Sequence, residues 1–464
     1  MKGLVFPMKT RMNLVLLLSA AVVLPSVPAV AQIHQPAVQQ APLGKPSAAQ
    51  PPVAQPGTPA PVAQPPVAQP APPPPPPLPP VVWDLRNASD LLAFIQGIGA
   101  EGLDPADYDP APLAAAIQAG EPLALSQIAT DRFDRVSSDV ALGHVKRSAR
   151  IDWHVADPDL DAAKQDATLR AAIAQHNIQG ALRNLLPTHP QYAALKAALA
   201  TATDPAQVKR IRLNMDRWRW LPRDLGPKYI IVNVPGFHAT LVENGVNRWK
   251  QRAIAGKLST PTPQLNATAV GVMLNPTWEV PESIAHEAAG KKGFVAVKKP
   301  DGTFDHWRQL PGPNNALGQL KFVMYNQYNI YLHDTNARSR FNDDVRALSH
   351  GCVRTQHIVD LATQLLGDDN GEWTPDKIQE QLASGKTKQA NFVKPVPVYI
   401  VYFSAAALND GRIVDYKDLY GRDARAMAAL EMKDGGASLP MPKDPDSTPQ
   451  PKPKPKPVDQ VAAR

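Results

Sequence analysis

The sequence predicts an α+β protein, with a helical N-terminal domain, a mainly antiparallel β domain behind it, and disordered segments at both ends. Three observations carry this prediction. Apolar residues recur at helix spacing from Trp83 to about Ala202, short alternating β-branched runs take over from Lys228, and the 51 prolines concentrate toward the two ends of the 464 residues.

Residues 1–31 have the layout of a secretory signal peptide: Lys9 and Arg11, an apolar run from Leu14 to Leu24, and Ala29-Val30-Ala31 before Gln32. The apolar run is far short of the roughly 20 residues that a membrane-spanning helix needs, so the mature chain is expected to be exported, to the periplasm or cell envelope. Met8 or Met12 serves equally well as the start. Residues 32–82 are mostly Pro, Ala, Gln and Val, which bury too little apolar surface to fold and favour an extended spacer of about 3 Å per residue. Residues 436–464 read the same way. There Lys452, Lys454 and Lys456 alternate with prolines in a solvated tail, with weak contact to an anionic wall polymer or membrane surface as the sharper reading. The net charge of +7 agrees with an anionic partner without requiring one. Export and the lack of a binding motif argue against nucleic acid.

Residues 83–204 are expected to form the helical domain. Ala88 to Ile95 and the run through Leu169, Ala172 and Ile173 place apolar residues on one helix face, with Ser, Asp or Thr at cap positions, and Gly102 to Tyr108 begins another helix. Trp83 and Trp153 are read as packing residues. Residues 205–435 form the second domain. Its strands are expected at 229–234, 239–243, 248–254, 270–274, 322–325, 329–332 and 396–403, separated early on by Pro235-Gly236 and Asn244-Gly245 turns. His333 then lies at a strand exit, residues 334–348 form a loop or short helix, and Cys352 lies at or just after the next strand, near the start of a helix from Gln356 to Leu366. A thiolate there gains from the positive end of the helix.

The chemistry concentrates at Cys352, the sole cysteine, within Ser349-His350-Gly351-Cys352-Val353-Arg354. A thiol reacts as its thiolate and needs a base: His350 is two residues away, and His333 reaches it if the chain folds back. Gly351 permits a tight turn that exposes amide donors suited to an oxyanion. Arg354 adds a permanent cation, fitted to a substrate carboxylate or to lowering the thiol pKa. Ser349 is expected to orient a histidine. A zinc site from His333, Asp334, His350 and Cys352 is the competing reading, without the paired spacings of such sites. No metal or organic cofactor is otherwise suggested.

His333 followed by Ser349-His350-Gly351-Cys352, Val353 and Arg354 resembles the signature of the L,D-transpeptidases of the YkuD family. Arg212 to Pro222, Val232-Asn233-Val234-Pro235, Asn275-Pro276-Thr277-Trp278, Trp307 to Pro313, Asn315 to Gly318 and Lys321-Phe322 are similar to its large periplasmic YcbB-type branch, as are Gly102 to Tyr108 and Asp131-Arg132-Phe133 to that branch's scaffold domain. The resemblance implies a YkuD-like β-sandwich with residues 276–317 as a cap. It makes Cys352 the nucleophile and His333 the proton donor and acceptor, with Ser349, His350, Gly351 and Arg354 in support. The partners it implies are peptidoglycan stem peptides, a donor tetrapeptide and the diaminopimelate amine of an acceptor, joined in a 3→3 cross-link. Water as acceptor gives an L,D-carboxypeptidase, and a protein lysine gives wall-protein attachment. A non-enzymatic wall-associated scaffold is the reading from another class. The chain departs from the larger relatives in one respect: between Leu195 and Arg212 there is no room for their peptidoglycan-binding module.

Overall fold

The computed structural model describes residues 79–408 and 411–442. The expected signal peptide, nearly all of the Pro-rich segment and the tail beyond residue 442 lie outside the described residues.

Helices form where caps and apolar spacing agree. α1 (Leu85–Gly97) opens on Asp84, whose carboxylate accepts the Asn87 N–H at 2.7 Å. α2 (Pro110–Ala119) and α3 (Pro122–Leu142) each begin on proline, which sacrifices only an N–H that the first turn leaves unpaired anyway. The stretch expected to start a helix at 102–108 makes a 3-10 turn over Pro105–Tyr108, ended by Asp109 at φ 43. A two-residue strand, β1 (Trp153–His154), follows, and then α4 (Ala162–Ala174), α5 (Ile178–Arg183) and α6 (Pro190–Leu199). Leu91, Ile95, Phe133, Val136, Leu169 and Leu182 form one core. Trp83 belongs to it, donating Nε1 to Thr130 Oγ1 at 3.0 Å, and Trp153 packs edge-on against Trp220 at 5.3 Å, so both are the packing residues expected.

α7 (Pro205–Arg219) carries most of the Arg212 to Pro222 motif and buries Asp216, Arg217 and Arg219. Asp216 accepts from the backbone N–H groups of His144 at 2.8 Å and Val145 at 3.1 Å and from Trp220 Nε1 at 2.8 Å, and it pairs with Arg219 at 3.3 Å. Arg217 pairs with Asp423 at 2.7 Å. Around these groups Ile211, Trp218, Tyr229, Tyr399 and Phe403 form a second core.

The period then changes as predicted. β2 (Lys228–Asn233), β3 (His238–Glu243) and β4 (Val246–Gly256) make an antiparallel meander, and Asn244 and Gly245, at φ 49 and 76, supply the left-handed pair that a two-residue hairpin turn needs. β5 (Gln264–Leu274) leads into the cap, where β6 (Trp278–Glu279), β7 (Phe294–Lys298) and β8 (Phe304–Gln309) form a separate sheet in the order β6-β8-β7. β9 (Leu320–Met324), β10 (Leu332–His333), β11 (Ala347–Ser349) and β12 (Val353–Thr355) come next, then α8 (Ile358–Asn370), α9 (Pro375–Ala383) and β13 (Lys388–Val401). The main sheet runs β1-β5-β13-β2-β3-β4-β12-β10-β9, and β9 also pairs with β5, closing the sheet on itself. Antiparallel pairings predominate, with parallel ones at β1–β5, β10–β12, β11–β4 and β13–β2. Ile230, Leu241, Val272, Phe322, Leu332, Val353 and Ile400 fill the interior against Leu361 and Leu365 of α8. Each such side chain contributes roughly 1.5–3 kcal/mol. β14 (Ala405–Ala407), β15 (Ile413–Asp415) and α10 (Asp423–Leu430) complete the described fold.

Candidate active site

Cross-strand register builds the site. His333 pairs with Arg354 on the parallel partner β12 and with Lys321 on the antiparallel partner β9. Directly paired residues share a sheet face, as do residues two apart on one strand. Tyr331 and Cys352 each lie just before these strands, Val353 N–H donates to Tyr331 O at 3.1 Å, and the Cys352 thiol is close enough to feel the Tyr331 hydroxyl and the Lys321 and Arg354 charges of that face. The opposite face carries Leu332 and Val353 into the core. Thus His333 and Cys352 are brought to one surface, and Lys321 and Tyr331 stand beside them.

The loop holding the nucleophile candidate is fixed by Ser349. Its Oγ donates to Cys352 O at 2.5 Å and accepts the Gly351 N–H at 3.1 Å. Ser349 therefore shapes the turn and orients no histidine, contrary to expectation. The Gly351 N–H is likewise occupied, which leaves the Cys352 N–H as the loop's donor. Gly351 adopts φ 114, and its carbonyl accepts Thr262 Oγ1 at 2.7 Å. The half-buried Cys352 directs Sγ to Asn329 O at 3.5 Å. Cys352 lies just before β12, and five residues, Val353 to His357, stand between it and the first residue of α8.

Burial pushes the Cys352 thiol up to about 11, against the opposing pull of Tyr331's backbone N–H and hydroxyl and of the Lys321 and Arg354 charges. Burial also pushes the His333 imidazole down to about 3, with Arg354 and Lys321 adding to the effect. Thiol and imidazole are both neutral. His333, 4% exposed, keeps Nδ1 buried without a hydrogen-bond partner among the described residues, a base with its acceptor site open.

His350 faces elsewhere. Its Nε2 lies 3.2 Å from Glu287 Oε1 on the cap. Burial and Lys257 lower its pKa while Glu287 opposes them. Asp334 accepts from Gln319 N–H at 2.8 Å and pairs with Arg338 at 2.7 Å. The zinc reading thus loses two of its ligands to other partners, and no cluster of three or more His, Cys, Asp or Glu suited to a metal occurs among the described residues. In the cap, Trp278 and Trp307 pack on its own small core of Val280, Ile284 and Ala288.

Residues 227–400 match the YkuD family, described as the L,D-transpeptidase catalytic domain, and residues 81–199 match the family described as Scaffold domain. A provisionally named L,D-transpeptidase of Haemophilus influenzae is 28% identical over 255 residues, covering 50% of this chain and 51% of that protein. The chain thus spans about half the length of this curated relative. Among solved structures, an L,D-transpeptidase from Mycobacterium smegmatis is similar at 14% identity and TM-score 0.20, covering 38% of this chain and 58% of that one. A mutant Enterococcus faecium L,D-transpeptidase is similar at 15% identity and TM-score 0.20, covering 39% and 52%.

Proposed function

We propose, from a chain that carries a YkuD L,D-transpeptidase catalytic domain behind a Scaffold domain, that this protein joins peptidoglycan stem peptides in 3→3 cross-links through a Cys352 thioester. One observation carries the reading: the thiol of Cys352, the open Nδ1 of His333 and the donors of Tyr331 converge on one sheet face. That is the inventory acyl transfer requires, a nucleophile, a base and an oxyanion stabiliser.

Because both groups begin neutral, proton transfer accompanies attack. Sγ bonds to the carbonyl carbon of the donor's third residue as its proton passes to His333. The Cys352 N–H and the Tyr331 hydroxyl hold the oxyanion. The C–N bond to the terminal D-alanine then breaks, and His333 returns the proton to the leaving amine. In the second half the diaminopimelate amine of an acceptor attacks the thioester, its proton passes through His333, and Cys352 leaves as the thiol. Ser349 and Gly351 shape the loop, and His350 joins it to the cap. Export to the periplasm belongs to the same reading, supported by the order of basic, apolar and small residues in 1–31.

Incubation of the protein and its Cys352→Ala variant with disaccharide-tetrapeptide, followed by mass spectrometry, tests the proposal. The expected product is a dimer lacking one D-alanine, formed only by the wild type. Tripeptide without dimer replaces transpeptidation with L,D-carboxypeptidase action, and no turnover by either protein sinks the enzymatic reading.

A further inference from the structure

We propose that Lys321 and Arg354 form a carboxylate subsite beside Cys352 that takes the C-terminal carboxylate of the donor peptide, an inference that rests on the L,D-transpeptidase reading for the identity of that peptide. The two cations flank His333 in register on one sheet face, Lys321 from β9 and Arg354 from β12. Neither makes an ion pair with an acid among the described residues, and Glu279, whose charge reaches Lys321, is shared with other groups. Asp334 is taken by Arg338 at 2.7 Å, Glu279 by Arg308 at 2.7 Å and Asp343 by Arg340 at 3.1 Å, while Glu287 lies against His350 at 3.2 Å.

What Lys321 and Arg354 do have is poor compensation for lost water. Arg354 Nε is buried without a hydrogen bond, and Lys321 Nζ rests over the Tyr331 ring at 4.9 Å. Burial lowers the pKa of both groups, and the Cys352 thiolate, with Glu279 for Lys321, only partly opposes it. A pair of desolvated, unpaired cations is costly to fold around, and an anionic ligand that bridges them recovers that cost on binding.

The spacing selects the anion. Arg354 lies two residues beyond Cys352, no more than about 7 Å along the chain, and its charge acts on the thiol. In a peptide whose last amide is attacked by Sγ, the terminal carboxylate is two bonds past the scissile nitrogen, within reach of that side chain. The subsite therefore admits a donor whose attacked amide is its last one, and a longer peptide would bring a neutral amide to the cations. When D-alanine departs it removes the counter-ion, and the exposed cations then disfavour an ammonium nearby, keeping the acceptor amine in its nucleophilic form.

Alkylation of Cys352 separates this role from simple tuning of the thiol. In both reagents the thiolate displaces iodide, but only iodoacetate carries a carboxylate; iodoacetamide is its neutral match. In the full chain, Lys321→Gln and Arg354→Gln should each lower the iodoacetate to iodoacetamide rate ratio roughly tenfold, one charge-assisted hydrogen bond's worth, and Lys321→Arg should restore it. Equal loss of both rates, with the ratio unchanged, overturns the subsite. Turnover of the tetrapeptide and of its C-terminal carboxamide then tests the assignment to the donor: the wild type should prefer the free acid, and Lys321→Gln should lose that preference through KM. Equal turnover of the two peptides by the wild type overturns the assignment. A ratio that falls in the variants while the wild type processes neither peptide retains the carboxylate subsite and refutes the L,D-transpeptidase reading instead.

Discussion

Cys352 and His333 depart from their ordinary pKa values in opposite directions, and burial on the same dry sheet face causes both departures, with the cations there deepening that of His333 and opposing that of Cys352. The thiol favours its neutral form because burial opposes the thiolate, and the imidazole favours its neutral form because burial and two cations oppose a third charge. Neither group changes charge between about pH 5 and 9, so the free enzyme holds no preformed ion pair. Alkylation by neutral iodoacetamide should therefore rise about tenfold per pH unit from pH 6 to 10 without a plateau, since the thiolate fraction grows until the pH reaches the thiol pKa. A plateau near pH 6–7 would identify a thiolate–imidazolium pair and contradict this account. Ser349→Ala should slow the same alkylation, because it frees the Cys352 carbonyl and the Gly351 N–H that define the turn. The signature residues were legible in the sequence because they are close in the chain and chemically unusual. Lys321 was not singled out, since cross-strand register cannot be read from spacing. Tyr331 was in principle within reach: in a strand it must share a face with His333 two positions later.

The elements with a long period were legible for the same reason that they are stable. α1 buries one face at helix spacing, and β2 and β3 are apolar runs buried on both faces, patterns that are written in the sequence. β1, β10 and β11 have two or three residues and no period, and the β5–β9 pairing that closes the sheet joins segments separated by the whole cap. Only tertiary contacts create them. α7 shows the converse case, a motif rich in charge that is nonetheless buried. Asp216 satisfies two backbone N–H groups, an indole and a guanidinium at once, so its removal strands the first three and leaves buried Arg219 without its carboxylate. We expect Asp216→Ala to destabilise the protein by about 3–5 kcal/mol in denaturant unfolding, the usual consequence of breaking a buried charge network from one side. A loss under 1 kcal/mol would show that water replaces the carboxylate and that α7 is not the polar anchor described.

At the scale of the whole molecule, the helical half supports the nucleophile loop. Arg422 contacts Asp152 next to β1 and donates to Thr262 O at 3.1 Å, and Thr262 in turn holds Gly351 O. The same packing buries histidines in all parts of the described fold, with consequences for acid stability. Burial pushes His189 and His238 down to about 4 each and His333 to about 3, whereas an unfolded histidine titrates near 6.5. Below pH 6.5 the unfolded chain therefore binds protons that the folded one refuses, and stability present above that pH is lost as the pH falls toward the folded values. His144 acts in the opposite sense: despite burial, its hydrogen bond to Asp139 at 2.7 Å raises its pKa, so it adds stability below the unfolded value. Around pH 5 His144 is protonated in both states and so does not offset the three depressed groups. From these three groups stability should fall by roughly 4 kcal/mol per pH unit around pH 5, read as a steady drop in calorimetric Tm from pH 6.5 to 4. His333→Asn separates the contributions, because it removes one refused proton without touching His189, His238 or His144. Its proton uptake on unfolding at pH 5, measured in buffers of different ionisation enthalpy, should be smaller by about one. An unchanged uptake would mean that His333 is protonated in the folded protein, and with it would go the neutral base on which proton transfer from Cys352 depends.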